Sequence, residues 1–461
     1  MHGCNPGRIV LTGAILGVLL GAGGARADSL TDALISAYQT NPLLAVSRAS
    51  LRAVDEGVGQ ARSGLRPNVT AGGSGTLSST SQTSGITDSY RASLDAELTL
   101  FDGGQTKAAV AAAIADVEAG RASLRDAEQT VLLDATTAFM NVRRDLDFVS
   151  LAKSNVNVIT QQVRAAQDRF EVGEVTRTDV SQAKARLAAA QSNLSATEGA
   201  LARSRQNYLA VVGKPARKLQ APPALPKLPR TLEEAQAIAM REHPALGAAR
   251  ARLEAAKHDV ERAKAALRLN LSLSGSLAYS LNTPIDGQDR TSATVTLGGS
   301  VPLYTGGNLS SLVRRAQQIL EQRKHKVQDT ARLVAQSVAF AWADLRVARA
   351  SIRARKQQIE AARVAFEGVG EEARLGARTT LDVLDAEQEL LNARTDLVAA
   401  KRDEYVAAFN LLSAMGLLSV KHLGLGIPVY DPTVYFEQVQ SGPSGGIDTS
   451  VVDRIRSRWG N

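Results

Sequence analysis

The chain has 461 residues, a formal charge of +8, one cysteine and only 4 % aromatic residues. That composition excludes a disulfide scaffold and a core built on large aromatic anchors, and it suits helices packed closely along their length. Basic residues alternate with acids along the chain instead of gathering in blocks, which argues against a nucleic-acid interface.

Residues 1–27 read as a secretory leader. Arg8 supplies the positive start, Ile9 to Leu20 the apolar stretch, and Ala25-Arg26-Ala27 a small-x-small cleavage site. Cys4 precedes the apolar stretch, so the mature chain, expected to begin at Asp28, carries no thiol. No later segment is apolar enough for long enough to be a transmembrane helix.

Repeat 1 is expected over 28–213. Ser29 caps a helix from about Leu30 to Leu65, with Asn41-Pro42, and at most Gly57, as interruptions. The period then changes from helical to two, giving barrel-type strands at 68–78 and 90–100 around a polar loop, Ser78 to Ser89. In the second strand Tyr90, Ala92, Leu94, Ala96 and Leu98 share one face, and Arg91, Ser93, Asp95, Glu97 and Thr99 the other. One wet and one greasy face suit a membrane strand. A tight strand-to-helix turn follows at Gly103-Gly104. Beyond it a helical pattern runs to Phe170, on the order of 100 Å at ~1.5 Å per residue. Val142, Val149, Val156, Val163 and Phe170 recur every seventh residue as a coiled-coil seam. Gly173 opens a hairpin tip over 173–178, and Thr176-x-x-Asp179 is a capping box for the returning helix, which ends at Gly213.

A proline-rich linker, 214–231, separates this from repeat 2, expected over 232–416. His243-Pro244 answers Asn41-Pro42 about 200 residues later. Strands are expected at 269–281 and 292–304, a second turn at Gly306-Gly307, and a second seam through Leu345, Ile352, Ile359 and Phe366. The second tip, 376–381, starts at Gly376 and carries the box Thr379-x-x-Asp382. Asp382 and Asp385, spaced i, i+3, fall on one helix face. Residues 417–461 form a Gly/Pro-rich tail whose last stretch, from Ser441, is expected to be loosely ordered.

The fold class is therefore a mixed α/β membrane protein: two tandem repeats, mostly long coiled-coil helices, with four strands. Four strands cannot close a barrel, and open edges cannot face lipid. Two chains would give eight strands and three would give twelve. Tyr90, Phe101, Tyr279 and Tyr304 lie near strand ends, either as an aromatic girdle or as packing at the strand–helix junction. The scattered histidines lack metal-ligand spacing, and neither Gly-Gly turn has the Lys-Ser/Thr of a phosphate loop. No catalytic group, cofactor or metal is expected.

The tandem repeats, Leu-Phe-Asp-Gly-Gly at 100–104 and Gly-x-Arg-x-x-x-Asp-Val-Leu-Asp-Ala at 376–386 resemble the TolC-type outer membrane efflux channels. The resemblance spans about Leu30 to Gly416. It implies a homotrimer with a twelve-stranded barrel in outer membrane lipid and a helical tunnel projecting into the periplasm. It also implies an exit duct for efflux or type I secretion. Its partners would be a periplasmic adaptor and an inner-membrane efflux pump or ABC transporter. By the same resemblance Asp382 and Asp385 ring the periplasmic aperture, and Arg378 with Asp179 and Thr178 forms a constriction lock. A tyrosine of that lock is replaced here by Ala373. Capping alone accounts for an acid at Asp179 and at Asp382, though not for Asp385, and Arg378 reads equally as a solvated loop charge. The rival reading is a periplasmic coiled-coil adaptor without a pore, its strands buried in small β-domains.

Overall fold

The computed structural model describes residues 28–79, 86–282 and 288–441. The expected leader, parts of both strand-connecting loops and the end of the tail lie outside the described residues.

The helices begin where the sequence supplies caps. α1 (Leu30–Thr40) opens on a capping box between Ser29 and Asp32, and α2 (Pro42–Arg62) on Asn41 with a proline at the first turn. Gly57 does not interrupt α2. Strands β1 (Asn68–Ser78) and β2 (Thr87–Phe101) lead into α3 (Gln105–Glu171) and its partner α4 (Arg177–Val212). The order then recurs: α5 (Leu232–Glu242), α6 (Pro244–Ala265), β3 (Asn270–Leu281), β4 (Arg290–Ser300), α7 (Asn308–Arg374) and α8 (Thr380–Ala414). α3 and α7 are each 67 residues long, ~100 Å.

The four strands form one antiparallel sheet in sequence order, β1-β2-β3-β4, so β1 and β4 are both edges. Its central pair joins the two repeats, with Asp95 opposite Ser276 and Leu94 opposite Leu277. β4 ends at Ser300, short of the expected 304. Its last partner is Asn270, the first residue of β3, and Pro302 has no N–H to continue the ladder. Leu303 and Tyr304 are consequently almost fully bare. At the other end β2 reaches back to Thr87.

The main core sits midway along the helices, where α1, α5 and the middle of α3 and α7 meet the ends of α4 and α8 around Phe139, Tyr208, Phe409 and Leu412. Val142 and Val149 of the first seam are buried, whereas Phe170 is exposed. In the second seam only Leu345 is buried. α7 also leaves Phe340, Val347 and Val364 more than half exposed. The chain after Gly416 folds back on the core, burying Leu418 and Val420, and leads into α9 (Thr433–Ser441), whose Tyr435 donates to Glu56 of α2 at 2.6 Å.

Candidate functional site: the hairpin tips

Each long hairpin reverses over a few residues, and the two reversals are built alike. Gly173 and Gly376 have φ of +83° and +79°, the left-handed conformation that closes a helix. The next N–H reaches back to a last-turn carbonyl: Glu174 to Arg169 and Ala377 to Glu372, both at 2.9 Å. Thr176 and Thr379 then open α4 and α8. The Asp179 carboxylate accepts from the Thr176 N–H and hydroxyl at 2.8 Å each, and Asp382 accepts from the same groups of Thr379 at 2.9 Å each. The Thr379 N–H, and then its hydroxyl, hold the Asp382 carboxyl below the usual carboxylate range.

Asp385 follows one turn above Asp382 and is not part of the cap. Its Oδ1 accepts from Arg186 Nη2 of α4 at 2.6 Å, which brings the two tips side by side. Arg378 does not meet Asp179 within the chain. Its Nε donates to Glu372 at 2.8 Å, with both side chains about half exposed. Thr178 is exposed and Asp179 is engaged by its own cap. Ala373 is buried against a cavity of about 420 Å³ between α3, α7 and α8 that Ala166, Phe366 and Val383 also line.

Three tip residues were not singled out by the sequence reading. Arg186 lies one heptad after Asp179, on the same helix face. Glu372 is separated from Arg378 by the turn that brings them together. Glu387 continues the Val383–Leu384 stripe towards Leu390, so periodicity alone marks it as inward-facing. It is buried, its Oε2 has no partner, and burial pushes its carboxyl up to about 7.

At the far end of the helices the two strand-to-helix turns differ. Gly103 and Gly104 both have positive φ, and Asp102 caps the turn by accepting from the Gly104 and Thr106 N–H groups at 3.0 and 2.6 Å. Gly306 and Gly307 have the same conformation, but Thr305 replaces the aspartate and α7 has no side-chain cap.

The sequence pattern of the outer membrane efflux protein family matches the chain twice, over 34–214 and 237–417. Outer membrane efflux protein BepC of Brucella suis is 36 % identical over 430 residues, covering 92 % of this chain and 93 % of the relative. Outer membrane protein TolC of Escherichia coli is 28 % identical over 443 residues, with 89 % and 87 % covered. Among solved structures, the outer membrane protein VceC of Vibrio cholerae superposes with a TM-score of 0.71 at 23 % identity, over 84 % of this chain and 96 % of that one. CusC superposes with a TM-score of 0.74 at 17 % identity, over 85 % and 92 %. Two matches in tandem, each spanning one helix–strand–hairpin unit, place the chain in the outer membrane efflux protein family.

Proposed function

We propose that three copies of this chain form a channel through the outer membrane, continued by a helical tunnel into the periplasm, as the exit duct of an efflux or type I secretion system. One observation carries the reading. The four-stranded sheet has two unpaired edges, and one of its faces is bare and apolar: Val69, Leu94, Leu277, Val295 and Leu297 are exposed in a single chain. Unpaired backbone groups cannot face hydrocarbon, so the edges must pair with further copies. Three copies give about twelve strands, within the range of closed membrane barrels. A periplasmic adaptor would instead bury these strands in a small β-domain. Among the described residues no helix is long and apolar enough to cross a membrane, and the ~100 Å hairpins fit an aqueous compartment. The bare apolar side chains of α7 fit contact with a neighbouring copy.

The tips serve as the periplasmic gate. Asp382 and Asp385 line the aperture, where three copies converge about six carboxylates, half of them paired with Arg186, and the remaining negative charge favours cations. Arg378 with Asp179 and Thr178 holds neighbouring helix pairs together. A periplasmic adaptor docks on the hairpins, and an inner-membrane pump or ABC transporter supplies the energy. The relatives include proteins named for alkaline protease secretion and for pyoverdine export, and cargo of that range fits a passive duct.

Planar-bilayer conductance of the detergent-extracted protein, measured with its mass, tests this. The expected result is a trimer giving small cation-selective currents whose selectivity falls in an Asp382→Asn/Asp385→Asn variant. A monomer that needs no detergent and conducts nothing would refute the channel. Unchanged selectivity in the variant would refute the gate alone.

A further inference from the structure

The register of the sheet sorts its charged side chains into layers. On the polar face Ser74, Arg91, Ser280 and Arg290 lie in one row across the four strands. Two rows nearer the helices, Thr70, Asp95, Ser276 and Thr294 are aligned, and the next row is Asn68, Glu97, Ser274 and Thr296. Both arginines therefore stand at the end of the sheet that carries the strand-connecting loops, whereas Asp95 lies mid-sheet and Glu97 one row further towards the helices. Among the described residues no ion pair involves Arg91, Arg290, Asp95 or Glu97. Asp95 Oδ2 accepts from Ser93 Oγ at 2.9 Å, which steadies the carboxylate on the wet face. The two acidic rows line a trough of about 250 Å³ with Thr294 and Thr296.

Arg91 and Asp95 are four residues apart on β2, on the order of 13 Å. That exceeds the Debye length of ~8 Å at physiological salt, so the two rows are largely screened from one another in an aqueous pore, with Arg91 exerting only a minor pull on Asp95. We propose that the barrel interior is a two-stage charge filter, with a basic ring of Arg91 and Arg290 at the outer mouth and an acidic band of Asp95 and Glu97 from mid-barrel towards the helices. The proposal rests on the trimeric barrel reading, in which each stage holds about six charges. The basic ring repels small cations approaching from the medium and concentrates anionic groups. The acidic band does the reverse. These four residues, not only the tip, then set which charge passes.

Thiol labelling tests this without relying on the gate. In a Cys4→Ser background, single substitutions Ser280→Cys (basic row), Ser274→Cys (acidic row) and Leu277→Cys (apolar face) are made in the full-length trimer. Each is reacted with an anionic and a cationic methanethiosulfonate of similar size. The anionic reagent is expected to label Ser280→Cys faster by about thirty-fold, attraction of one reagent and repulsion of the other each giving the about five-fold factor for one unit charge at ~4 Å in water, and the cationic reagent to lead similarly at Ser274→Cys. Both preferences should shrink at 0.5 M salt, on the order of a Debye length of ~4 Å. Arg91→Gln/Arg290→Gln should abolish the preference at the first site only. Equal rates for both reagents at both sites would overturn the filter. Labelling at Leu277→Cys with none at Ser274→Cys and Ser280→Cys would instead overturn the barrel orientation on which it rests.

Discussion

Arg186 of α4 and Asp385 of α8 meet at 2.6 Å, Nη2 to Oδ1, across the space between the two helical hairpins. The other pairs between long helices, Lys153–Glu198, Arg349–Glu404 and Arg355–Asp396, lie within one hairpin or the other. Among the described residues, the Arg186 pair is thus the ion pair that couples α3–α4 to α7–α8. It is half exposed, so it contributes little to stability. Its effect is on which helices move together. Arg186→Ala should leave thermal unfolding of the assembly unchanged and raise open probability in bilayers by at most about five-fold. Combined with Asp385→Ala it should add nothing further, because both substitutions remove the same contact. Strictly additive effects would show that the pair is not part of the gate.

Arg378 and Glu372 make a second prediction, with opposite signs for the two partners. Glu372 holds the guanidinium within its own tip at 2.8 Å. Glu372→Gln should release Arg378 to carboxylates on a neighbouring helix pair and lower open probability. Arg378→Ala should raise it. The same direction of change in both variants would place Arg378 outside the lock.

The two Gly-Gly turns separate backbone strain from steric fit. Gly103 and Gly306 have φ of +69° and +61°, so alanine at either costs about 1–2 kcal/mol of backbone strain. At Gly306 the new Cβ meets open space within the chain. At Gly103 it falls 2.6 Å from Arg268 Cβ and 2.7 Å from the Ala265 carbonyl oxygen. Backbone cannot yield as a flexible side chain does, so Gly103→Ala adds an overpacking cost of about 1–3 kcal/mol. The melting temperature should therefore fall further for Gly103→Ala than for Gly306→Ala. Equal losses would mean that a neighbouring copy crowds Gly306 in the assembly.

The elements legible in the sequence are those governed by local rules. The period-two stretches, the tip glycines and the Thr-x-x-Asp boxes depend on residues within one turn of each other, and Thr379 and Asp382 bond as that spacing requires. Ends set by a partner strand were less legible: β4 stops at Ser300 because β3 starts at Asn270. α9 was missed because its anchors, Glu56 to Tyr435 and Arg121 over the Phe436 ring, lie far away in the chain. At the tips the acids were found, but Arg186 was not. A contact between hairpins leaves no spacing rule in one sequence.

Glu387 gives the pH prediction. It lies on α8 two residues beyond Asp385, 7 % exposed, with Oε2 unpartnered, and burial raises its carboxyl from 4.5 to about 7. No charged neighbour contributes to that shift. The neutral form is the one that the folded chain prefers, so the packing is fully favourable below the unfolded value near 4.5. It weakens as pH rises through the window from 4.5 to about 7. Above that window the buried charge costs about 3 kcal/mol per chain, at 1.36 kcal/mol per pKa unit. Glu387→Gln keeps the shape and removes the charge. It should raise the denaturation midpoint at pH 8 and leave it unchanged at pH 4.5, the two curves converging as pH falls. Curves that stay parallel across that window would mean that the Glu387 carboxyl reaches water.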